Sequence, residues 1–236
     1  GNGRDYISGS NGDDILYGHS GNDTIYGGAG EDDISGGDGN DRVYGGFDSD
    51  QLNGGRGDDQ VYGGDYADQI SGDDGNDWLD GDSGDDTVWG GNGNDTLLGD
   101  WGNDSLNGGN DDDTLYGNNG NDTLEGSYGN DRLLGGNGDD LIKGGQGNDR
   151  LTGNAGADTF FFDDGWFGSV SWGDDTITDF NQGEDVVDLS TISWLNNFSQ
   201  LDIQDTWQGA RVEFGGDTII MEGLNAADLT ASDFLI

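Results

Sequence analysis

Every ninth residue along most of this chain is aliphatic, and few of those between are. The series runs Leu16, Ile25, Ile34, Val43, Leu52 and onward to Leu151, with Phe160 as its last member. Most of their neighbours are polar or small, with exceptions such as Ile15, Leu98 and Leu141. A segment of three that alternates outward, inward, outward is the pattern of a short strand. The spacing therefore predicts one short strand per unit with a single inward residue. Two nine-residue units make one 18-residue coil, with two strands facing each other. Coils would stack at the strand spacing of about 4.8 Å, so about nine coils span roughly 40 Å.

The rest of each unit repeats as strictly as its apolar position. "GGAGEDDIS" and "GGDGNDRVY" are consecutive copies of one phrase, Gly-Gly-x-Gly-x-Asp-x-aliphatic-x. Its first position can be stepped from Gly9 to Gly153 without insertion or deletion. Such self-similarity marks a solenoid and takes precedence over local propensity. Glycine at the first and fourth positions is expected to provide positive φ, so that the chain turns tightly and its carbonyls converge. The sixth position is always aspartate: Asp14, Asp23, Asp32, Asp41, Asp50, Asp59, Asp68, Asp77, Asp86, Asp95, Asp104, Asp113, Asp122, Asp131, Asp140, Asp149 and Asp158. Asp5 holds the same place in a partial unit before them.

Charge changes the picture. The 236 residues include 50 Gly, no Pro and no Cys, and 50 acidic residues against 7 basic ones give a net charge of -43. Such a charge with low hydrophobicity ordinarily marks disorder, but a disordered tail keeps no register. It excludes nucleic acid and disfavours an anionic membrane surface, since phosphates would be repelled. No apolar run is long enough for a membrane-spanning helix. Absence of Cys removes disulfides and a thiol nucleophile and is compatible with an extracellular setting. No secretory signal peptide stands at the start. The chain opens in mid-phrase at "GNGRDYIS", as a piece cut from something longer would. One aliphatic residue per unit is a thin core, and the aspartates repel each other, so the bare chain is not expected to fold. Calcium repairs both defects, because it takes six to eight oxygens, and carboxylates with freed carbonyls suit it. Two turns stacked one coil apart can enclose an ion, giving about 15 ions in all. Binding energy then becomes folding energy.

These phrases, with "GGNGNDTLL", resemble the nonapeptides of RTX (repeats-in-toxin) proteins. The resemblance implies an all-β, right-handed parallel β-roll over 1–161. It also implies calcium held by the sixth-position Asp and by carbonyls of positions one, two and four. In well-formed turns those carbonyls belong to Gly27, Gly28, Gly30, Gly36, Gly37, Gly39, Gly54, Gly55 and Gly57. The same places are held by Gly90, Gly91, Gly93, Gly135, Gly136, Gly138, Gly144, Gly145 and Gly147. The tail, 162–236, is similar to the C-terminal domain of serralysin-type proteases and other RTX exoproteins. The likeness rests on "GADTFFFDD", "GDDTITDFNQGEDVVDLS" and the terminal "LTASDFLI". It implies a cap on the roll and an uncleaved signal for the type I secretion machinery. Asp164, Asp175 and Asp185 are further ligand candidates, since "GDDTIT" and "GEDVVD" read as decayed repeats. The serralysin catalytic motif His-Glu-x-x-His is absent, and the single His19 reads as structural or solvated.

Three turns depart from the phrase, with Asp48, Tyr66 and Asp111 at the fourth position. Tyr rarely takes positive φ, so sites around Asp48 and Tyr66 are expected to be distorted, weak or empty, unless the turn absorbs the change. Tyr26, Tyr44 and Tyr62 lie 18 residues apart and should stack in a row on one sheet face. That row is either a docking strip for a polysaccharide or another domain, or cross-strand packing. Arg42, Arg132 and Arg150 flank it as solvated partners for acids. Phe160, Phe161, Phe162, Trp166, Phe167, Trp172, Trp194 and Trp207 are expected to form a cap core. "SWLNNFSQL" reads as a short helix, and "ARVEF" with "DTIIMEG" as a hairpin. The leading expectation is a calcium-dependent folding and export module, without catalysis of its own. The alternatives are a stand-alone extracellular adhesin, and the C-terminal module of a secreted protease, lipase or polysaccharide-modifying enzyme.

Overall fold

The computed structural model describes residues 1–163, 172–214 and 216–236. Its order is all-β: a parallel β-solenoid with two strands per coil. Strands alternate between two sheets, which hold 13 and 11 strands among the described residues. Partners within a sheet sit 18 residues apart, as in Leu97↔Leu115 and Leu115↔Leu133. The larger sheet takes the strands beginning with Tyr6–Asn11, and the smaller those beginning with Ile15–Ser20. No helix among these residues is long and apolar enough to cross a membrane.

Each strand is longer than the phrase suggests. From Tyr6–Asn11 to Arg150–Ala155 it runs six residues, from position seven of one unit to position three of the next, as in Thr114–Asn119. Period two then turns two residues inward, the aliphatic eighth and the first-position glycine of the next unit. Leu115 and Gly117 are accordingly both buried. From Ile25 to Phe160 the eighth-position side chains form one continuous core. Leu16 at the open first coil is only partly buried.

The glycines divide the work differently from expectation. Positive φ occurs at the second and fourth positions, as at Gly37 (113°) and Gly39 (128°), and not at the first. First-position glycine is required for space. A Cβ on Gly36 would lie 2.5 Å from Asp41 Oδ2 and 2.6 Å from the Gly54 carbonyl oxygen. The second position tolerates residues that enter the left-handed region cheaply, which is where His19 sits (φ 77°), its ring beside Tyr17.

The strict phrase stops at Phe161, but both sheets run on. Asp174–Ile177 extends the larger sheet, followed by Asp217–Glu222, Gly209–Phe214 and Asp202–Asp205. Val186–Asp188 and Phe234–Leu235 extend the smaller one. The expected hairpin is present, with Gly209–Phe214 antiparallel to Asp217–Glu222. "SWLNNFSQL" holds one 3-10 turn, Phe198–Gln200. The aromatic core is smaller than expected. Phe160, Phe162 and Trp172 are buried, joined by Phe180, Phe214 and Phe234. Phe161 is half-buried, whereas Trp194 and Trp207 are exposed, Trp207 on a tight turn held by Thr206. Trp166 and Phe167 lie outside the described residues.

Candidate metal centre

The turns line two edges of the solenoid. Asp5, Asp23, Asp41 and their successors occupy the first edge; Asp14, Asp32, Asp50 and theirs the second. From Asp23 to Asp158 each sixth-position side chain is almost wholly buried. Its Oδ1 accepts the backbone N–H of the aspartate one coil earlier, as from Asp41 to Asp59 (2.7 Å) and from Asp95 to Asp113 (2.7 Å). Its Oδ2 has no hydrogen-bond partner in any unit from Asp14 to Asp158. One orphaned carboxylate oxygen recurs in every turn. Buried polar groups are normally satisfied, so a regular series of exceptions requires an agent that binds oxygen.

The metal-free electrostatics say the same. Burial pushes the Asp59, Asp68 and Asp113 carboxyls up to about 8, and neighbouring carboxylates push the same way against the bond from the preceding coil. The ladder is thus a column of anions that the interior disfavours. A hard divalent cation would hold them ionised, and the donor set fits it. In the space beside Gly36, where no Cβ intrudes, Asp41 Oδ2 and the Gly54 carbonyl come together. Asp59 Oδ2 stands likewise beside Gly54, Asp95 beside Gly90, Asp140 beside Gly135, Asp149 beside Gly144 and Asp32 beside Gly27. At the second and fourth positions, carbonyls of one coil press on the glycines of the next. His19 does so under Gly37, Ser10 under Gly28, Gly21 under Gly39 and Gly12 under Gly30. Gly55, Gly57, Gly91, Gly93, Gly136, Gly138, Gly145 and Gly147 repeat that contact.

Both ladders outlast the phrase. Asp175 Oδ1 accepts the N–H of Asp149 (2.8 Å), and Asp185 Oδ1 that of Asp158 (3.1 Å). Burial raises the Asp175 carboxyl to about 8. Asp185 uses its second oxygen on the Asn181 N–H (2.7 Å), which makes it a terminator of the column. Asp5, at the open end, meets the N-terminal ammonium at 3.0 Å. Asp164 lies outside the described residues.

A second, opposite ladder escaped the sequence reading. Fifth-position Asn and Asp side chains accept the N–H of the fifth residue one coil later. Asn76 receives Asn94 (2.8 Å), Asn94 receives Asp112 (2.9 Å) and Asn103 receives Asn121 (2.9 Å). The frequent Asn-Asp and Asp-Asp pairs before each strand were its signal. On the second edge it is interrupted at Ser49 and Ala67, beside Asp48 and Tyr66. Those turns otherwise keep their shape. Asp48 and Tyr66 take φ of 73° and 78°, and Asp50 still donates its N–H to Asp68 (2.7 Å). The backbone thus follows the regular course of the turn, with a bulky side chain in the left-handed region at Tyr66.

The tyrosine row is present. Tyr26–Tyr44 and Tyr44–Tyr62 stack at 4.7 and 5.0 Å with rings 5° and 6° from parallel. Their faces cover one another, which is cross-strand packing. Arg150 pairs with Glu222 at 3.2 Å, whereas Arg42 donates to the Gln60 carboxamide (3.1 Å) and not to an acid.

A family model agrees with this geometry. It is described as the RTX calcium-binding nonapeptide repeat (4 copies) and matches residues 1–34, 26–61, 62–97, 98–133 and 125–160. Among curated proteins the sequence found no match. Among solved structures, the extracellular lipase LipA from Serratia marcescens is similar at 16% identity and a TM-score of 0.45. That similarity covers 80% of this chain and 40% of the lipase, so the chain spans well under half of that protein. The AlgE6R3 subunit of the Azotobacter vinelandii mannuronan C5-epimerase is similar at 27% identity and a TM-score of 0.31, over 61% of this chain and 80% of that one. A nonapeptide held for some 160 residues, folded into a parallel β-roll with one orphaned carboxylate oxygen per turn, makes this chain a member of the RTX calcium-binding repeat family.

Proposed function

We propose that the chain is a folding and export module of a secreted bacterial protein, unfolded where calcium is scarce and folded where it is abundant. The observation that carries this reading is the column of buried, unpartnered Oδ2 atoms. In this reading the sixth-position aspartates and the carbonyls of positions one, two and four hold about 15 calcium ions between stacked turns. Calcium would supply the positive charge that lets the carboxylates stay ionised in the interior. The chain's own residues do the rest: glycines keep the cradles open, and each Oδ1 fixes the neighbouring coil. Sites of the extracellular affinity class fill at roughly 0.1–1 mM calcium, far above cytosolic levels. The chain would pass the type I secretion machinery unfolded, and folding outside would oppose its return. The tail, 162–236, serves as cap and signal region. No reaction is assigned to these residues.

Far-UV circular dichroism during a calcium titration from chelator to about 10 mM, with magnesium as control, tests this. A cooperative rise of β signal with calcium alone is expected. Full β signal in chelator would overturn the switch.

A further inference from the structure

The tyrosine row and the irregular second edge differ in what they leave free. Phe47, Tyr66 and Trp101 are 58%, 62% and 67% exposed. Unlike Tyr26, Tyr44 and Tyr62, none of them is in ring contact with another aromatic among the described residues. Phe47 and Trp101 belong to one row of the larger sheet, Phe47, Asp65, Ser83, Trp101. Tyr66 sits in the turn after Asp65, between them. The three rings are strung over three coil steps, about 14 Å.

Tyr66 is an outlier. Among the described residues, every other non-glycine residue with positive φ is Asp, Asn, Ser or His. A bulky aromatic there is strained, and strain that persists points to a use. Neither a hydrogen bond nor a ring contact within the described residues uses its side chain. The same two turns replace the fifth-position acid or amide with Ser49 and Ala67. Across the turn, Gln51 and Gln69 are exposed and uncharged. Asp48 and Asp85 are engaged by the N–H groups of Gly30 and Asn103. This is a stretch of free aromatic faces beside two uncharged carboxamides, with Asp65 in the row as an exposed acceptor, on a chain of charge -43.

We infer that this strip binds an uncharged polysaccharide. Sugar rings lay their C–H faces on Phe47, Tyr66 and Trp101, and hydroxyls meet Gln51, Gln69 and Asp65. Rings repeated along a line at multiples of about 4.8 Å match a polymer of rings. A protein partner would require anchors gathered in a closed, water-excluding pocket. An acidic polysaccharide would meet the repulsion of the whole chain.

The calcium-loaded full chain is titrated with hydroxyethylcellulose, galactomannan and dextran, with alginate as acidic comparator. Binding is read by tryptophan fluorescence and affinity electrophoresis. Circular dichroism of each sample reads folding separately from binding. One neutral polysaccharide is expected to bind, and Tyr66→Gly to weaken it about tenfold or more. Because that substitution restores the phrase, it should leave the calcium midpoint unchanged or lower it. A purely structural Tyr66 would give the calcium effect without the binding loss. Phe47→Ala with Trp101→Ala, at ordinary backbone positions, is expected to abolish binding in a folded chain. The inference fails if no neutral polysaccharide binds, if alginate alone binds, or if binding survives the combined Phe47, Tyr66 and Trp101 substitutions.

Discussion

The repeats and the tail share two continuous sheets, yet they are held together by different physics. In the repeats the core is two facing rows of eighth-position side chains, one from each sheet, flanked by two columns of buried carboxylates. In the tail, Val212, Phe214, Ile219 and Met221 pack with Trp172 into a conventional apolar core. Among the described residues, all of the orphaned carboxylate oxygens lie in the repeats. Buried acids of the tail find protein partners, as Asp233 Oδ2 accepts the Thr230 N–H at 2.7 Å. The repeats bury carboxylate oxygens that nothing among the described residues satisfies, whereas the tail is held by water's exclusion of apolar groups.

Chelation should separate the halves most strongly. Hydrogen exchange in chelator is expected to show loss of protection throughout 5–160 and residual protection at the amides of 210–221. Equal loss in both would mean that the tail depends on the roll for its order.

Next in size is Asp113. Asp113→Ala removes a carboxylate that the proposed function assigns to calcium, and it leaves the Asp95 N–H without its acceptor, a cost of about 1–3 kcal/mol beyond the ion. Asp113→Asn keeps the acceptor and loses the charge. Both should raise the calcium midpoint, Ala more than Asn. Equal midpoints would show that the hydrogen bond to Asp95 adds nothing.

Protons sharpen the contrast. In the metal-free roll Asp59, Asp68 and Asp113 titrate near 8, against about 3.9 for an unfolded aspartate. A raised folded pKa favours the protonated fold. Its contribution is complete below about pH 3.9 and is lost as pH rises through the folded values. Acidification in chelator from pH 8 to 4 should therefore increase β signal. In calcium, where ions displace protons, the midpoint should rise as pH falls, by up to about tenfold per unit for each proton displaced. A metal-free signal flat across that range would show that the carboxylates are better solvated than their burial implies.

The smallest expected effect is at the outer ladder. Asn94→Ala removes an exposed acceptor for Asp112 and should cost about 1 kcal/mol or less, seen as a slight rise in the calcium midpoint. A loss as large as that of Asp113→Ala would give the fifth-position ladder equal rank with the sixth.

The repeat made the solenoid legible, because three fixed positions in a period of nine leave one way to alternate inward and outward. Leu115 and Asp113 could be placed from the sequence. The role of Gly117 could not, since its reason is the Asp122 carboxylate folded against it. The Asn76–Asn94 bond was hidden for the same reason: it joins residues one coil apart. Trp194 and Trp207 misled, because an aromatic cluster in sequence does not show which rings face inward. The sequence by itself determined the coil, the core rows and the column of acids, all of which follow from local periodicity. Tertiary structure decided which carboxylate oxygen stays unpartnered, which glycines are there for space, and which aromatic faces remain open. Those depend on what the next coil, 18 residues away, presents across a gap of about 4.8 Å.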